Sequence, residues 1–311
     1  MAKHTPRVLL VFVDGVGYGT RDPKRNPMFA GEYPFLTDLF SGSLPSIKRP
    51  VAGNTKFTLS PIQVNMGVPG LPQSGTGQTA LYTGINAAKY VGKHFGPYVY
   101  STLKPVLEEH GIYARLLERG FPADELALAN AFPQRFFDYL AGPKRRMVAG
   151  AYMARSAGIR FRDIKDLKRG TAISTDITAV RWKNIGHPDA PVDTPEAAGR
   201  KLANIASEHR FTLFEYFLTD KAGHDMDMSA ATEYLSELDG MLSGIWDAMN
   251  HDKLLVLLTS DHGNLEELSR KTHTRNRVPL LAFGKGHREF SADVSRITDI
   301  TPAICSYLTG M

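Results

Sequence analysis

A single cysteine, Cys305, is all the thiol chemistry in 311 residues. That excludes an intrachain disulfide and a thiolate zinc cage, so any metal here takes nitrogen and oxygen ligands, and redox chemistry is not expected. Cys305 itself, in Ala303–Leu308, is expected to pack as a small apolar group. Long hydrophobic runs are also missing. The early run Val8–Val13 is cut by Asp14 and lacks a small-residue cleavage signal, which makes it too short for a secretory leader. Nothing approaches the roughly 18 apolar residues of a membrane span. The expectation is a soluble, cytoplasmic protein with no membrane partner. Charge of one sign is scarce as well: 37 Lys and Arg against 32 Asp and Glu leave +5. Such an excess suits an anionic substrate without implying nucleic acid, and neither a basic, aromatic-interleaved motif nor an internal repeat is found.

What remains is ordinary globular material, 42% hydrophobic and 22% charged, long enough for one large domain or two unequal ones. Four apolar runs bounded by turn residues, Val8–Val13, Phe211–Leu218, Leu254–Leu258 and Val278–Phe283, read as buried parallel strands. Between them lie helix-like stretches such as Thr194–Ser207, whose Thr-Pro-Glu opening is a helix start signal. The alternation predicts an α/β fold with a mostly parallel central sheet and helices on both faces.

The middle of the chain reads differently. From 92 to 192 only Glu125–Phe132 resembles a strand, and between Arg135 and Lys183 twelve Lys and Arg face four Asp, a local net of +8. We expect residues 1–91 and 193–311 to form the core and 92–192 to be an intervening segment, part core and part small basic helical cap. Such a charge run is either a solvated face or a lid that attracts a phosphorylated ligand.

Ligands of open α/β sheets bind outside the carboxyl ends of the strands. Three runs deliver an Asp there: Asp14, Asp220 and Asp261. One Asp-Gly after a strand is explained as a turn; three Asp, two of them accompanied by His, are not. Asp220 and His224, four residues apart, fall on one face of a helical turn. Asp261-His262 supplies adjacent oxygen and nitrogen ligands, and His273 follows. Three Asp and three His exceed the three protein ligands of a catalytic zinc, so two divalent ions are the simplest count, with zinc, manganese or related metals such as magnesium all compatible. A two-metal site suits in-line displacement at phosphorus. A nucleophile is offered by Ser74 in the Gly-rich turn Gly70–Ala80, which leads into a helix-like Thr79–Thr83 whose backbone amides can hold a phosphoryl group.

In order along the chain, Asp14-Gly15, Gln73-Ser74-Gly75-Thr76-Gly77, Asp220 with Gly223-His224, Ser260-Asp261-His262-Gly263-Asn264 and His273-Thr274 before Val278-Pro279 resemble the motifs of the alkaline phosphatase superfamily. The resemblance is nearest to its branch of cofactor-independent phosphoglycerate mutases and phosphopentomutases. It implies an alkaline phosphatase-like fold. By analogy Asp220, His224 and His273 hold one ion, and Asp14, Asp261, His262 and the Ser74 oxygen hold the second. Ser74 then becomes a transient phosphoserine. Thr76 is the alternative nucleophile, but the family's nucleophile stands three residues before the turn's Gly, which is where Ser74 stands relative to Gly77.

The chain also departs from the mutase branch, where His usually follows that Gly; here it is Gln78. Only 145 residues separate Ser74 from Asp220, leaving a smaller cap than the long mutases use to exclude water, and a reduced cap favours hydrolysis. The expected function is a two-metal phosphomonoester hydrolase acting on a small phosphorylated metabolite. The alternatives are a phosphomutase, a phosphodiesterase, or a catalytically silent binder of a phosphorylated ligand. Thr76, Gln78 and Arg275, with Lys221 and Asn276, are candidate phosphate contacts. The other histidines, His4, His94, His110, His187, His209, His251 and His287, have no ligand-like partner in sequence and are expected to be structural or superficial.

Overall fold

The computed structural model describes residues 5–142 and 146–310. Nine strands form among the described residues: β1 (Arg7–Val13), β2 (Ala52–Gly53), β3 (Phe57–Ile62), β4 (Leu126–Leu128), β5 (Asn130–Ala131), β6 (Ile173–Ser174), β7 (Phe211–Tyr216), β8 (Leu254–Thr259) and β9 (Val278–Gly284). Seven make the central sheet in the order β2-β3-β9-β8-β1-β7-β4. Strands β8, β1, β7 and β4 are parallel, with Val11 opposite both Phe214 and Leu258.

Val278–Phe283, expected to be parallel, runs antiparallel to β8, pairing Leu281 with Leu258. The mistake has a physical source: β9 is covered on both faces, and burial rather than strand direction sets a continuous apolar run. Phe211–Leu218 also ends sooner than expected. The strand stops at Tyr216, and Leu218 opens the helix Leu218–Asp225. The run Glu125–Phe132 is broken into β4 and β5. At the start of β5 the Asn130 side chain takes over the β7 edge, accepting from Glu215 N–H (2.9 Å) and donating to Glu215 C=O (2.8 Å).

Alternating residues of β1 feed two cores. Leu9, Val11 and Val13 pack with Leu202, Leu238 and Met241 from the helices Pro195–Glu208 and Met228–Ala248 on one face. Val8, Leu10 and Phe12 pack on the other with Leu81, Tyr82 and Ile304 from the helices Ser74–Thr83 and Ile300–Thr309. The helix Pro195–Glu208 begins where its signal placed it, with the Thr194 hydroxyl accepting from Ala197 N–H.

The segment 92–192 contributes β4 to the sheet and pairs β5 with β6 beside a small cluster of Leu167, Ala172, Ala179 and Trp182. Several of its cations are already engaged. Arg160 and Arg169 both bind the buried Asp166 (2.7 and 2.6 Å), and Arg181 lies over the Tyr234 ring. Lys144 and Arg145 of the basic stretch, like His4, lie outside the described residues. Among the described residues no helix is long and apolar enough to cross a membrane.

Candidate active site

Asp14 immediately follows β1, and Ser260-Asp261-His262 follow β8, so these side chains emerge at the carboxyl edge of the parallel strands. Asp220 and His224 sit one turn apart on the helix Leu218–Asp225, with His224 Nε2 3.2 Å from Asp220 Oδ2. Gly15 has φ +71°, and a Cβ there would lie 2.6 Å from Asp220 Oδ1; the turn after β1 therefore requires glycine where it meets this helix.

Ser74, expected in a loop, is instead the first residue of the helix Ser74–Thr83. Its Oγ lies 3.0 Å from His262 Nε2, at the end of the helix where the macrodipole is positive. His262 Nε2 is 3.4 Å from Asp14 Oδ1 and 3.5 Å from Asp261 Oδ2, and the His262 ring stacks on His273 at 3.7 Å between centroids. His273 Nε2 in turn lies 3.6 Å from Asp220 Oδ1 and 3.0 Å from His224 Nε2. Seven residues scattered from 14 to 273 thus converge.

Two of the imidazoles are oriented by backbone. His224 Nδ1 lies 2.7 Å from the Lys271 carbonyl and His273 Nδ1 lies 2.7 Å from that of Pro72. A carbonyl only accepts, so each Nδ1 carries a proton, and in the neutral ring each Nε2 turns a lone pair into the cluster.

The electrostatics of the bare cluster are unfavourable. Burial, followed by the charges of Asp261 and Asp220, pushes Asp14 well above the usual carboxylate range. Burial, followed by Asp220, pushes Asp261 up to about 8. Burial acts upward on Asp220 too, but the His224 hydrogen bond and the His262 charge outweigh it and hold that carboxyl low. Burial, then His273, pushes His262 down to about 3. Asp14 Oδ1 and both Asp261 carboxylate oxygens are buried without a hydrogen-bond partner. Acceptors gathered this densely, with orphaned oxygens among them, fit divalent cations held by carboxylate and imidazole. Among the described residues two groups have ligand atoms close enough for one ion each: Asp220, His224 and His273; and Asp14, Asp220 and His262. Asp220 belongs to both groups, while Asp261, expected as a ligand of the second ion, belongs to neither.

The candidate phosphate contacts are placed unequally. Gln78 is buried and donates from Nε2 to Asp14 Oδ2 at 3.3 Å. The Thr76 hydroxyl donates to Gln73 C=O and accepts from Phe95 N–H, which ties the first helical turn to the following loop. Arg275 is exposed and donates from Nε to Gly70 C=O (3.0 Å), while Lys221 pairs with Asp225 on its own helix. Asn276 donates to Glu266 rather than facing the cluster. His94, His209, His251 and His287 each place a ring nitrogen against a backbone carbonyl. His110 lies beside Glu109 and His187 packs on Trp182.

Two residues around the cluster escaped the sequence reading. Asn264 was visible only as part of a motif, yet its amide donates to Asp220 Oδ1 at 2.8 Å. Glu266 carries no sequence signal, since the groups it bonds come from segments far apart in the chain.

Residues 190–310 match the family model described as "Metalloenzyme superfamily"; this span holds Asp220, His224, Asp261, His262 and His273. The chain is 28% identical over 245 residues to a phosphopentomutase of Shewanella woodyi, covering 75% of this chain and 56% of the relative. It is 29% identical over 125 residues to a 2,3-bisphosphoglycerate-independent phosphoglycerate mutase of Legionella pneumophila, covering 38% and 24% respectively. The chain thus spans about a quarter of that mutase and just over half of the phosphopentomutase. Among solved structures, the PH0037 protein from Pyrococcus horikoshii aligns with a TM-score of 0.57 at 15% identity, covering 99% of this chain and 98% of the other. The alkaline phosphatase from the Antarctic bacterium TAB5 aligns at 0.52 and 14%, covering 98% and 99%. These structural likenesses carry the fold. Residues 190–310 are thus similar to a metalloenzyme superfamily, and the chain as a whole shares the fold of an alkaline phosphatase.

Proposed function

We propose that this chain is a two-metal phosphomonoester hydrolase that acts on a small phosphorylated metabolite through a phosphoserine at Ser74. The observation that carries the reading is the Ser74 hydroxyl, at a helix N-terminus and 3.0 Å from His262 Nε2, beside buried carboxylates whose oxygens lack partners. Asp220, His224 and His273 would hold one ion, and Asp14, Asp261, His262 and Ser74 the other, with zinc, manganese or magnesium as candidates. When bound, such ions supply positive charge that lowers the pKa of a hydroxyl or a water and offsets charge developing on phosphoryl oxygens.

The chain's own residues do the rest. His262 orients Ser74 Oγ for in-line attack, and, with the Thr76 and Gly77 N–H groups already bonded to the Phe95 and Gln73 carbonyls, the amides of Ser74 and Gly75 are the ones that would meet the phosphoryl oxygens. A bond forms from Ser74 Oγ to phosphorus as the bond to the organic oxygen breaks, and that oxygen leaves as an alcohol after taking a proton. Water then adds to the phosphoserine, phosphate departs, and Ser74 regains its proton. Hydrolysis is favoured over retention because the His224 side chain is 46% exposed, leaving one flank of the cluster open to water.

A phosphomutase is the second reading, supported by the phosphopentomutase and phosphoglycerate mutase relatives. Incubation with a panel of sugar phosphates, phosphoglycerates, nucleotides and an aryl phosphate, after chelation and readdition of manganese or zinc, separates the two. Metal-dependent phosphate release supports the hydrolase. A positional isomer seen by NMR without free phosphate moves the chain to the mutases, and neither signal sinks both in favour of a silent binder.

A further inference from the structure

Outside the ligand cluster, one buried carboxylate is more heavily engaged than any metal-facing group. Glu266, 4% exposed, receives four hydrogen bonds. Oε2 accepts from Gly17 N–H (3.1 Å) and Asn264 N–H (2.8 Å). Oε1 accepts from the Thr274 hydroxyl and from Asn276 Nδ2 (3.0 Å). These donors belong to three separate segments, each carrying a candidate ligand: the turn after β1 with Asp14, the turn after β8 with Asp261 and His262, and the stretch entering β9 with His273. A fourth is reached through Asn264, whose amide grips Asp220 at both Oδ1 (2.8 Å) and the main-chain carbonyl (3.2 Å). The fit is tight, since a Cβ at Gly17 would sit 2.5 Å from Glu266 Oε1.

We infer that Glu266 is the positioning residue of the site: it touches neither ion nor substrate, and it fixes the four ligand-bearing segments in register before a cation arrives. The inference rests on the metal-site reading above. Its chemistry makes a distinctive demand. Two backbone N–H groups cannot change role, so Oε2 must remain an acceptor. The Thr274 hydroxyl can rotate to accept, and the Asn276 amide can turn over, so the Oε1 position tolerates a donor. Glutamine at 266 can therefore preserve the network while removing the charge; alanine cannot.

The experiment titrates Mn²⁺, and separately Zn²⁺, into chelated wild-type protein, Glu266→Gln and Glu266→Ala by calorimetry, with far-UV circular dichroism of the metal-free forms. Glu266→Ala is expected to weaken binding roughly 10- to 100-fold, the usual effect of losing a group that orients ligands, and Glu266→Gln to recover most of that loss. Wild-type affinity in Glu266→Ala overturns the inference, and so does a Gln variant as weak as Ala, because the carboxylate would then act by charge rather than by placement. If Glu266→Ala does not fold, Thr274→Val decides, since it removes one donor from Oε1: weaker binding supports the role and unchanged binding overturns it. Wild-type protein that binds neither ion overturns the metal-site reading itself, which is distinguishable from wild-type binding that Glu266→Ala leaves intact.

Discussion

The Nε2 atoms of His224 and His273 face each other at 3.0 Å, each ring turned by an Nδ1–H bond to a backbone carbonyl. Two imidazole lone pairs held this close beside the Asp220 carboxylate repel unless a cation lies between them, and a proton or a metal ion meets that need. The two cations compete. Asp14 is pushed well above the carboxylate range and Asp261 to about 8, so the metal-free cluster carries bound protons at pH 7 that a metal must displace. Titrating Mn²⁺ into chelated protein in two buffers of different ionisation enthalpy is expected to show proton release at pH 7. The release shrinks as pH rises past 8, where the Asp261 carboxyl is already ionised. Uptake without proton release at pH 7 would contradict the shared-proton account.

Ser74→Ala separates nucleophile from ligand set. The helix Ser74–Thr83 is buried along its length and anchored by Leu81 and Tyr82 in the core, so removing one hydroxyl leaves the fold intact. Turnover of an aryl phosphate is expected to fall by roughly 10³-fold or more, as for other enzymes that lose their nucleophile, while calorimetry still detects metal at the Asp220, His224 and His273 group. Turnover at the wild-type rate would exclude a phosphoserine at this position.

The ligand set was legible because each Asp follows a buried strand, and the carboxyl edge of a parallel sheet is where such residues gather. Three features were hidden, for different reasons. The direction of β9 left no trace, since a strand covered on both faces looks alike either way. The helix beginning at Ser74 was hidden by Gly75 and Gly77, which lower helix propensity. At Gly75 the glycine is explained by packing, because a Cβ would overlap the carbonyls of Tyr98 and Phe95. Glu266 was hidden because its partners come from residues 17, 264, 274 and 276, and a hub of that kind exists only after the loops have met. Lys221 illustrates the opposite error: proximity in sequence to Asp220 suggested a phosphate contact, but the helix carries it to Asp225.

Beneath the site, Glu215 on β7 is fully buried and accepts from the Tyr82 hydroxyl at 2.7 Å. Burial pushes its carboxyl up to about 7, the Tyr82 bond only partly opposing this. The folded state therefore holds a proton that the unfolded chain releases near pH 4.5. This favours the folded state below that pH, and the benefit is lost as pH rises through 7. Glu215→Gln keeps an acceptor for Tyr82 and removes the charge. Urea unfolding is expected to show the variant gaining stability over wild type at pH 8, on the order of 2–3 kcal/mol, and gaining little at pH 5. An equal change at both pH values would mean that Glu215 is not protonated in the folded protein.

Gly15 links the first strand to the helix of Asp220, and its replacement should damage the site more than the fold. Alanine there meets two obstacles, a backbone at φ +71° and a Cβ 2.6 Å from Asp220 Oδ1. The left-handed conformation costs about 1–2 kcal/mol for a residue with a side chain, which lowers the melting temperature by a few degrees in a chain of this size. The steric conflict falls on a single residue, Asp220, at its Oδ1, Cβ and Cα (2.6, 2.9 and 3.0 Å). Asp220 belongs to both groups able to hold an ion, so moving it by a few tenths of an ångström disturbs both at once. Gly15→Ala is expected to fold, to melt a few degrees lower, and to bind Mn²⁺ roughly 10- to 100-fold more weakly, as when a supporting group is lost. A variant that lost stability by this amount yet bound metal as wild type does would show that the helix Leu218–Asp225 can shift away without disturbing its ligands, and that the close approach of Gly15 serves packing alone.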